Sequence, residues 1–308
     1  MRGMAGPRDA TDVSAHPGAV RAPAVAGMFY PSDAARCREM AESYLRAKAS
    51  AAGELAWRGA IVPHAGWVCS GAIAGEAIAT VAASRAKAEV VVVFGAIHTP
   101  LPVEVAVFDT HARWRVPGGE AEVAGEVQRR LEEEASLFVE DERFHSREHA
   151  VEVELPLVRL AWPQAAVLPV EVPVVEDAEA IGVRTAKAIE AAGLEAVYLA
   201  SSDMTHYGPG YRFTPAGVGV GALEWAKGND RRLLGLVEEM AVERVVPEVR
   251  GRHNACGGGA IAACMAACRE GGASRGRVLT HANSYETLAR VAPQPAENAV
   301  GYAGVVIG

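Results

Sequence analysis

The sequence predicts an α/β protein, with a central mixed and largely parallel sheet flanked by helices on both faces. Apolar segments typical of strands alternate with longer segments typical of helices through most of the chain, and this alternation is characteristic of parallel strands joined by crossover helices. The segment 89–95 contains four consecutive valines. Such a run is expected of a strand that is buried on both faces of its sheet.

The predicted elements follow one another in a regular order. Strands are predicted at 58–63, 89–95, 103–108, 166–172, 196–200, 278–283 and 300–307. Helices are predicted at about 33–48, 71–84, 120–134, 145–160, 176–191, 220–239 and 256–270. Ser32 or Asp33 can cap the first helix, Gly118 and Gly119 interrupt the chain before the third, and Gly193 closes the fifth.

Residues 21–308 are expected to form a single domain, because no internal repeat or low-complexity linker interrupts them. A chain of 308 residues is at the upper size for one hydrophobic core. Residues 1–20 lack the apolar stretch of a signal peptide and are expected to be a flexible N-terminal tail.

Composition excludes several classes of function. The formal charge of −8, with no basic run to offset it, argues against a nucleic-acid partner. No apolar run reaches the length expected of a membrane span, so a cytoplasmic protein without a membrane partner is expected. Five cysteines without paired spacing make a disulfide framework unexpected.

Three predicted strands end at polar residues that can bind a metal. His64 follows the strand at 58–63, His98 follows the strand at 89–95, and Asp203 with His206 follows the strand at 196–200. Reactive groups collect beyond the carboxyl ends of parallel strands, so these side chains should meet at one edge of the sheet. For each of them the alternative is a structural role, such as a histidine bonded to backbone in a turn.

Cys256 is the cysteine with a chemical argument for function. It precedes three glycines at the start of a predicted helix, where the helix dipole favours the thiolate. The glycines permit a close backbone approach, either to a ligand or to another segment. Cys37, Cys264 and Cys268 are expected to be structural, and Cys69, close to His64, could face the same site.

Residues 145–149 spell H-x-x-E-H, the zinc-peptidase pattern in its inverted form. On a helix the pattern places His145 and His149 on one face, with Glu148 beside them. The alternative is a helix start with an exposed His145 and a buried, paired Glu148 and His149. The remaining histidines, His16, His111, His253 and His281, are expected to be structural or solvated.

Taken together, these segments resemble the Memo family, whose fold is related to the class III (LigB-like) extradiol dioxygenases. The resemblance rests on eight motifs in the same order along 21–308: Val25–Pro31, Pro63-His64-Ala65-Gly66 with Ser70-Gly71, Gly95-Ala96-Ile97-His98, Trp114–Pro117, Glu148–Glu152 with Leu155-Pro156, Ser201–Gly208, Cys256-Gly257 and Val300–Ala303. The chain departs from the family pattern at Ala96-Ile97, Trp67, Cys69 and Ala150, which affects the identity of the ligand rather than the metal-binding positions.

The resemblance implies a specific cluster of side chains. His64, His98 and Cys256 would line one pocket, with Asp203 and His206 beside them. The related dioxygenases hold Fe(II) through two histidines and a carboxylate, and a cysteine in place of that carboxylate would suit iron or copper.

The sequence is therefore interpreted as that of a metal-dependent redox protein. Fe(II) is the expected metal and copper the alternative, His206 would act as general acid or base oriented by Asp203, and the ligand would be a small aromatic molecule. The competing hypothesis is a non-catalytic protein that uses the same pocket to bind a metal or a peptide. A peptide or protein partner is compatible with either hypothesis.

Overall fold

The structure, a computed structural model, describes residues 19–46, 56–134, 136–289 and 295–308. The predicted N-terminal tail lies outside this part of the chain, apart from its last two residues. Val20, the last of them, pairs with a neighbouring strand.

The described residues contain twelve strands. They are β1 (Val20–Arg21), β2 (Gly59–Val62), β3 (Val90–Gly95), β4 (Ala106–Phe108), β5 (Arg113–Val116), β6 (Gly119–Glu122), β7 (Phe138–Glu140), β8 (Ala166–Glu171), β9 (Ala196–Ser201), β10 (His206–Tyr207), β11 (Gly276–Asn283) and β12 (Ala299–Ile307). The α-helices are α1 (Ala34–Arg46), α2 (Trp67–Ser84), α3 (Gly125–Glu132), α4 (Leu155–Ala161), α5 (Ala178–Ala191), α6 (Val220–Glu238), α7 (Val242–Arg252), α8 (Gly258–Glu270) and α9 (Ser284–Leu288).

The central sheet is mixed, with a parallel core. Strands β2, β9, β3 and β8 lie side by side and run parallel. Antiparallel β12 flanks β2, and antiparallel β4 flanks β8. Strands β10 and β11 extend the sheet beyond β12, and β7 extends it beyond β4. A separate small sheet has the order β1-β5-β6. The predicted fold class is confirmed.

Both faces of the sheet are buried, which explains the run of valines in β3. Val91 and Val93 pack on one side, in a core that includes residues of α2 and α4. Val92 and Phe94 pack on the other side, in a core that includes residues of α5, α7 and α8. Successive side chains of a strand point to opposite faces, so each face needs an apolar residue at every second position.

Several predicted elements differ from the structure. The strand predicted at 103–108 begins only at Ala106, and the helix predicted at 120–134 begins as β6, with α3 following at Gly125. The helix predicted at 145–160 is formed only from Leu155 onward as α4, preceded by turns and short 3₁₀ segments. Helix α7 was missed, since Pro247 within it argues against a helix by propensity alone.

Helix α2 corrects the expectation that no segment could span a bilayer. Its 18 residues have a mean hydropathy of 1.3, enough by length and composition to cross a membrane. In the structure the helix packs against α1, β2 and β12, and 56% of it is buried. Its apolar character therefore fits a core helix.

Candidate metal centre

His64 lies just beyond the end of β2, and its ring is fixed by Ser201 at the end of neighbouring β9. The Ser201 hydroxyl donates to the carbonyl oxygen of Ala150 at 2.5 Å. Its only proton is thereby used, so the 2.9 Å contact between Ser201 Oγ and His64 Nδ1 requires the ring nitrogen to donate. The Nε2 atom of His64 is left with its lone pair free in the neutral ring, and it lies 3.4 Å from Cys256 Sγ.

His98, beyond the end of β3, is fixed in the same way by Glu148. The backbone N–H of His98 donates to Glu148 Oε2 at 2.6 Å, and ring Nδ1 lies 2.9 Å from Oε1. A carboxylate can only accept, so Nδ1 carries a proton, and Nε2 is the ring atom that could bind a metal once its own proton is lost. The Cys256 sulfur also lies near enough to the ring of His98 to affect the pKa of that ring.

Cys256 completes the convergence of donors from three separate elements. Its sulfur accepts a hydrogen bond from the backbone N–H of Asp203 at 3.3 Å. Burial works to raise the pKa of the thiol, but the neighbouring His64 and His98 outweigh it and lower that pKa to about 5. Helix α8 begins at Gly258, two residues after Cys256, and the two imidazoles stabilise the thiolate.

The pKa values of His64 and His98 shift upward, opposite to the pKa of Cys256. Burial alone would lower the pKa of each ring, since it disfavours the charged form. The Cys256 thiolate and Asp203 nonetheless raise the pKa of His64 to about 9. Cys256 and Glu148 raise the pKa of His98 to about 10. Without a metal the site is thus a cluster of imidazolium and thiolate, in which a cation could replace the ring protons.

His149 is a further donor that the sequence analysis did not assign to the site. One ligand atom each of His64, His98 and His149 lies within 4.8 Å of the others, so the three could hold a metal ion. The rings of His98 and His149 stack at 4.5 Å, and His149 Nδ1 lies 3.1 Å from Glu148 Oε1. The Glu148-His149 pair of the H-x-x-E-H segment was the clue to this donor.

The zinc-peptidase interpretation of that segment is wrong, because the helix it requires is absent. His145 is fully buried rather than exposed. Its Nε2 atom lies 3.1 Å from the carbonyl oxygen of Val107 and its ring packs against Trp114. Burial lowers the pKa of His145 to about 4, so the ring stays neutral. The two histidines of the motif therefore lie in different environments.

Asp203 and His206 lie beside the donor cluster. Asp203 Oδ1 accepts the backbone N–H of His64 at 3.0 Å. Its Oδ2 atom lies 3.9 Å from His206 Nε2, an ion-pair separation too long for a hydrogen bond. Burial works to raise the pKa of Asp203, but His64 and His206 hold it below its usual value. The carboxylate therefore stays ionised between the two imidazoles.

The other cysteines and histidines are placed largely as expected. Cys37, Cys264 and Cys268 are buried. Cys69 is partly exposed and hydrogen-bonds to Tyr302. His111 and His281 each pair with an aspartate at 2.9 Å, Asp109 and Asp230 respectively. His253 is exposed, and His16 lies outside the described residues.

Comparison with known proteins gives the family. The model of the family described as Memo-like protein matches residues 21–306. The chain belongs to the Memo family. A MEMO1 family protein of Aeropyrum pernix is 33% identical over 280 residues, covering 86% of this chain and 93% of the relative. Those of Methanococcoides burtonii and Thermococcus onnurineus are 31% and 29% identical, covering 94% and 93% of this chain and 100% and 99% of the relatives.

The donor set of this Memo-family chain fits a metal with affinity for nitrogen and sulfur. Imidazole suits iron, copper and zinc, and thiolate favours the softer ions. Ser201 fixes the ring of His64 and Glu148 fixes the ring of His98. Both Nε2 atoms are therefore oriented for metal binding before any ion binds. The site could therefore bind such an ion with little rearrangement.

Proposed function

We propose that this protein is a metal-dependent redox protein in which His64, His98 and Cys256 hold a single Fe(II) or copper ion. The observation that supports this most directly is the 3.4 Å contact between His64 Nε2 and Cys256 Sγ. Each histidine has its Nδ1 atom bound elsewhere, so both Nε2 atoms are available to one ion. Fe(II) is the first choice, and copper also suits a donor set that includes a thiolate.

His149 supplies the alternative third or additional ligand. Its ligand atom belongs to the three-histidine group with His64 and His98. Contact with Glu148 orients this ring as it orients His98. Whether Cys256 or His149 is the third ligand determines which metal ion the site prefers, because a thiolate is a softer ligand than an imidazole.

His206 is the group proposed to move a proton on a bound small aromatic molecule. Its side chain is 35% exposed, so a ligand can reach it. The Asp203 carboxylate lies 3.9 Å away and can come within hydrogen-bond distance on a small movement, so that it would orient the ring. The bound metal would supply open coordination positions and one-electron chemistry with dioxygen.

A cytoplasmic location is part of the same proposal. The five cysteines are all free, which suits a reducing compartment. Any reactive thiolate at Cys256 would there be available to the metal rather than to a disulfide.

The test is anaerobic reconstitution of the full chain with Fe(II), followed by oxygen uptake with a panel of catechols. Uptake above that of the free metal is expected. Tight metal binding with no uptake across the panel, for Fe(II) and for copper, would contradict the redox function. It would support the alternative of a metal- or peptide-binding protein.

The same preparation tests the ligand set. Cys256→Ser should weaken metal binding strongly and abolish thiolate-to-metal charge-transfer absorption, whereas His149→Ala should leave that absorption in place. Cys264→Ala, in the buried face of α8, is the control and should change neither. Unchanged affinity and spectrum in Cys256→Ser would remove Cys256 from the ligand set.

A further inference from the structure

A pocket of about 580 Å³ opens beside the proposed metal ligand Cys256. It lies between the loop that follows β10 and the carboxyl-terminal end of α7. Cys256 and His206 form part of its wall, so that a molecule bound there would contact both the proposed metal ligand and the proposed acid-base group. Its volume is in the range of pockets that bind small molecules.

The charged side chains that line this pocket are cationic. They are Arg212 and Arg250, and no aspartate or glutamate is among the lining residues. This is unexpected in a chain with a formal charge of −8. Within the part of the chain that the structure describes, Arg212 forms no ion pair.

Arg250 is held in place by backbone. Its Nε and Nη2 atoms donate to the carbonyl oxygen of Val174 at 3.2 and 2.9 Å. Its Nη1 atom lies 3.5 Å from the exposed carboxylate of Glu176. Two of its three nitrogen atoms are therefore fixed by the protein, and the third faces a weak, solvated partner that an incoming anion could displace.

Aromatic and aliphatic side chains complete the lining. The ring of Tyr211 stacks on His206 at 5.1 Å with an interplanar angle of 16°, and Phe213 packs edge-on against His253 at 5.7 Å. The aliphatic lining residues are Val174, Met204, Val249 and Ala255. A lining of this kind suits the ring of a planar apolar group, since stacked and edge-on arrangements are both favourable for aromatic pairs.

We propose that this pocket binds the ring of a small aromatic anion, with Arg212 and Arg250 binding its carboxylate or phosphate group. The proposal deepens the proposed function and rests on it only in taking the bound ring to lie next to the metal. It adds that the ligand carries a negative charge, which the proposed function by itself does not require. Specificity would come from the two guanidinium groups, each of which can donate two hydrogen bonds to a carboxylate or phosphate, as a lysine cannot in the same geometry.

The experiment measures equilibrium binding of matched probes to the metal-free full chain by calorimetry. Benzoate is compared with its neutral isostere benzamide, and phenyl phosphate serves as a second anion. Benzoate or phenyl phosphate should bind at least tenfold more tightly than benzamide, and added salt should reduce the difference. The anion that binds more tightly identifies the preferred group.

The variants Arg212→Ala and Arg250→Ala should each weaken binding of the anions by roughly tenfold, with little effect on benzamide. Arg250→Lys should retain part of the affinity. Arg244→Ala, an exposed arginine of the same helix that pairs with Glu239, is the matched control and should change nothing.

Equal affinity for benzoate, phenyl phosphate and benzamide would overturn the proposal, as would unchanged anion binding in both alanine variants. These outcomes are separate from the fate of the proposed function. Anion binding by a protein that binds no metal would leave the pocket proposal standing and remove the metal site. Metal-dependent oxygen uptake without a preference for anions would support the metal site and overturn the pocket proposal.

Discussion

Glu148 contributes more to the candidate metal centre than its place in the sequence suggests. Its two oxygens contact the backbone N–H and the ring of His98, the backbone N–H groups of His149 and Ala150, and the ring of His149. Burial works to raise its pKa, but the bonds from His149 and His98 hold it well below its usual range. One ionised carboxylate thus positions two imidazoles.

Glu148→Gln should therefore weaken metal binding. An amide presents an NH₂ group where the carboxylate accepts, so at least one imidazole would lose its orientation. Loss of such an outer partner typically costs roughly 10- to 100-fold in metal affinity. Competition titration with a metal-binding dye measures the affinity. The exposed Glu126→Gln on α3 is the control, and equal affinities in the two variants would contradict the role of Glu148.

Residue identity predicted the main candidates of the site but not their partners. His64 lies next to Cys256 and His98, Asp203 and His206 lie beside them, and their roles in the site stay a prediction. The clue to His149 was present in the sequence, but it was interpreted through a helix that does not form. Ser201 Oγ could not be assigned to His64 Nδ1 from the sequence, because strand pairing brings the two residues together.

At the scale of elements, the position of Cys256 depends on how closely α8 packs. The sequence left open whether the glycines before α8 admit a ligand or another segment. In the structure, other segments of the chain pack closely against these glycines. A Cβ atom on Gly259 would lie within 1.8 Å of the carbonyl oxygen of Pro173, and one on Gly257 within 2.8 Å of the Ser202 side chain. The glycines let the start of the helix approach the ends of β8 and β9.

Gly259→Ala should therefore destabilise the protein and displace Cys256. The clash involves backbone atoms that cannot rotate away, so a loss of about 1–3 kcal/mol or more in unfolding free energy is expected. Urea denaturation measures it, and weaker metal binding should accompany it. Gly235→Ala, within α6 with no atom within 4 Å of the added methyl, is the control and should be neutral or stabilising. Equal effects of the two substitutions would contradict this account of α8.

The segment between β7 and α4 shows how a buried charge overrides helix propensity. The Arg21 guanidinium donates to the carbonyl oxygens of His145 and Glu148 and pairs with Glu152 at 2.6 Å. These carbonyl groups would bond within the segment if it were a helix. An arginine more than a hundred residues away in the chain thus holds the segment in turns, and the turns direct Glu148 toward His98.

At the scale of the whole molecule, burial of acidic groups sets how stability depends on pH. Glu154 is fully buried, and neither of its oxygens has a hydrogen-bond partner among the described residues. Burial raises its pKa to about 8, although the charge of His64 opposes this. The folded state keeps a proton that the unfolded state loses above about pH 4.5. Stability contributed by this neutral form therefore falls as pH rises toward about 8.

Glu154→Gln should remove this dependence. The stability of the variant relative to the natural protein should increase between pH 5 and pH 7, by at most about 1.4 kcal/mol for each pH unit. Chemical denaturation at pH 5, 6 and 7 measures the difference in unfolding free energy between the two proteins. A contribution of the amide that is the same at each pH does not affect how this difference changes with pH. Glu239→Gln, at the exposed carboxyl-terminal end of α6, is the control for an amide substitution outside the core. For Glu154→Gln, a difference that does not change with pH would contradict burial of a neutral carboxyl.

The sequence alone determined the α/β class, the parallel core of the sheet and the family, because strand periodicity and local motifs are properties of neighbouring residues. It also determined which strands end in side chains that are able to bind a metal. Only the tertiary structure decided that His149 joins the cluster, that Glu148 and Ser201 set the histidine tautomers, and that Arg212 and Arg250 line one pocket. Those contacts join residues distant in the chain, and their geometry depends on packing that no local pattern encodes.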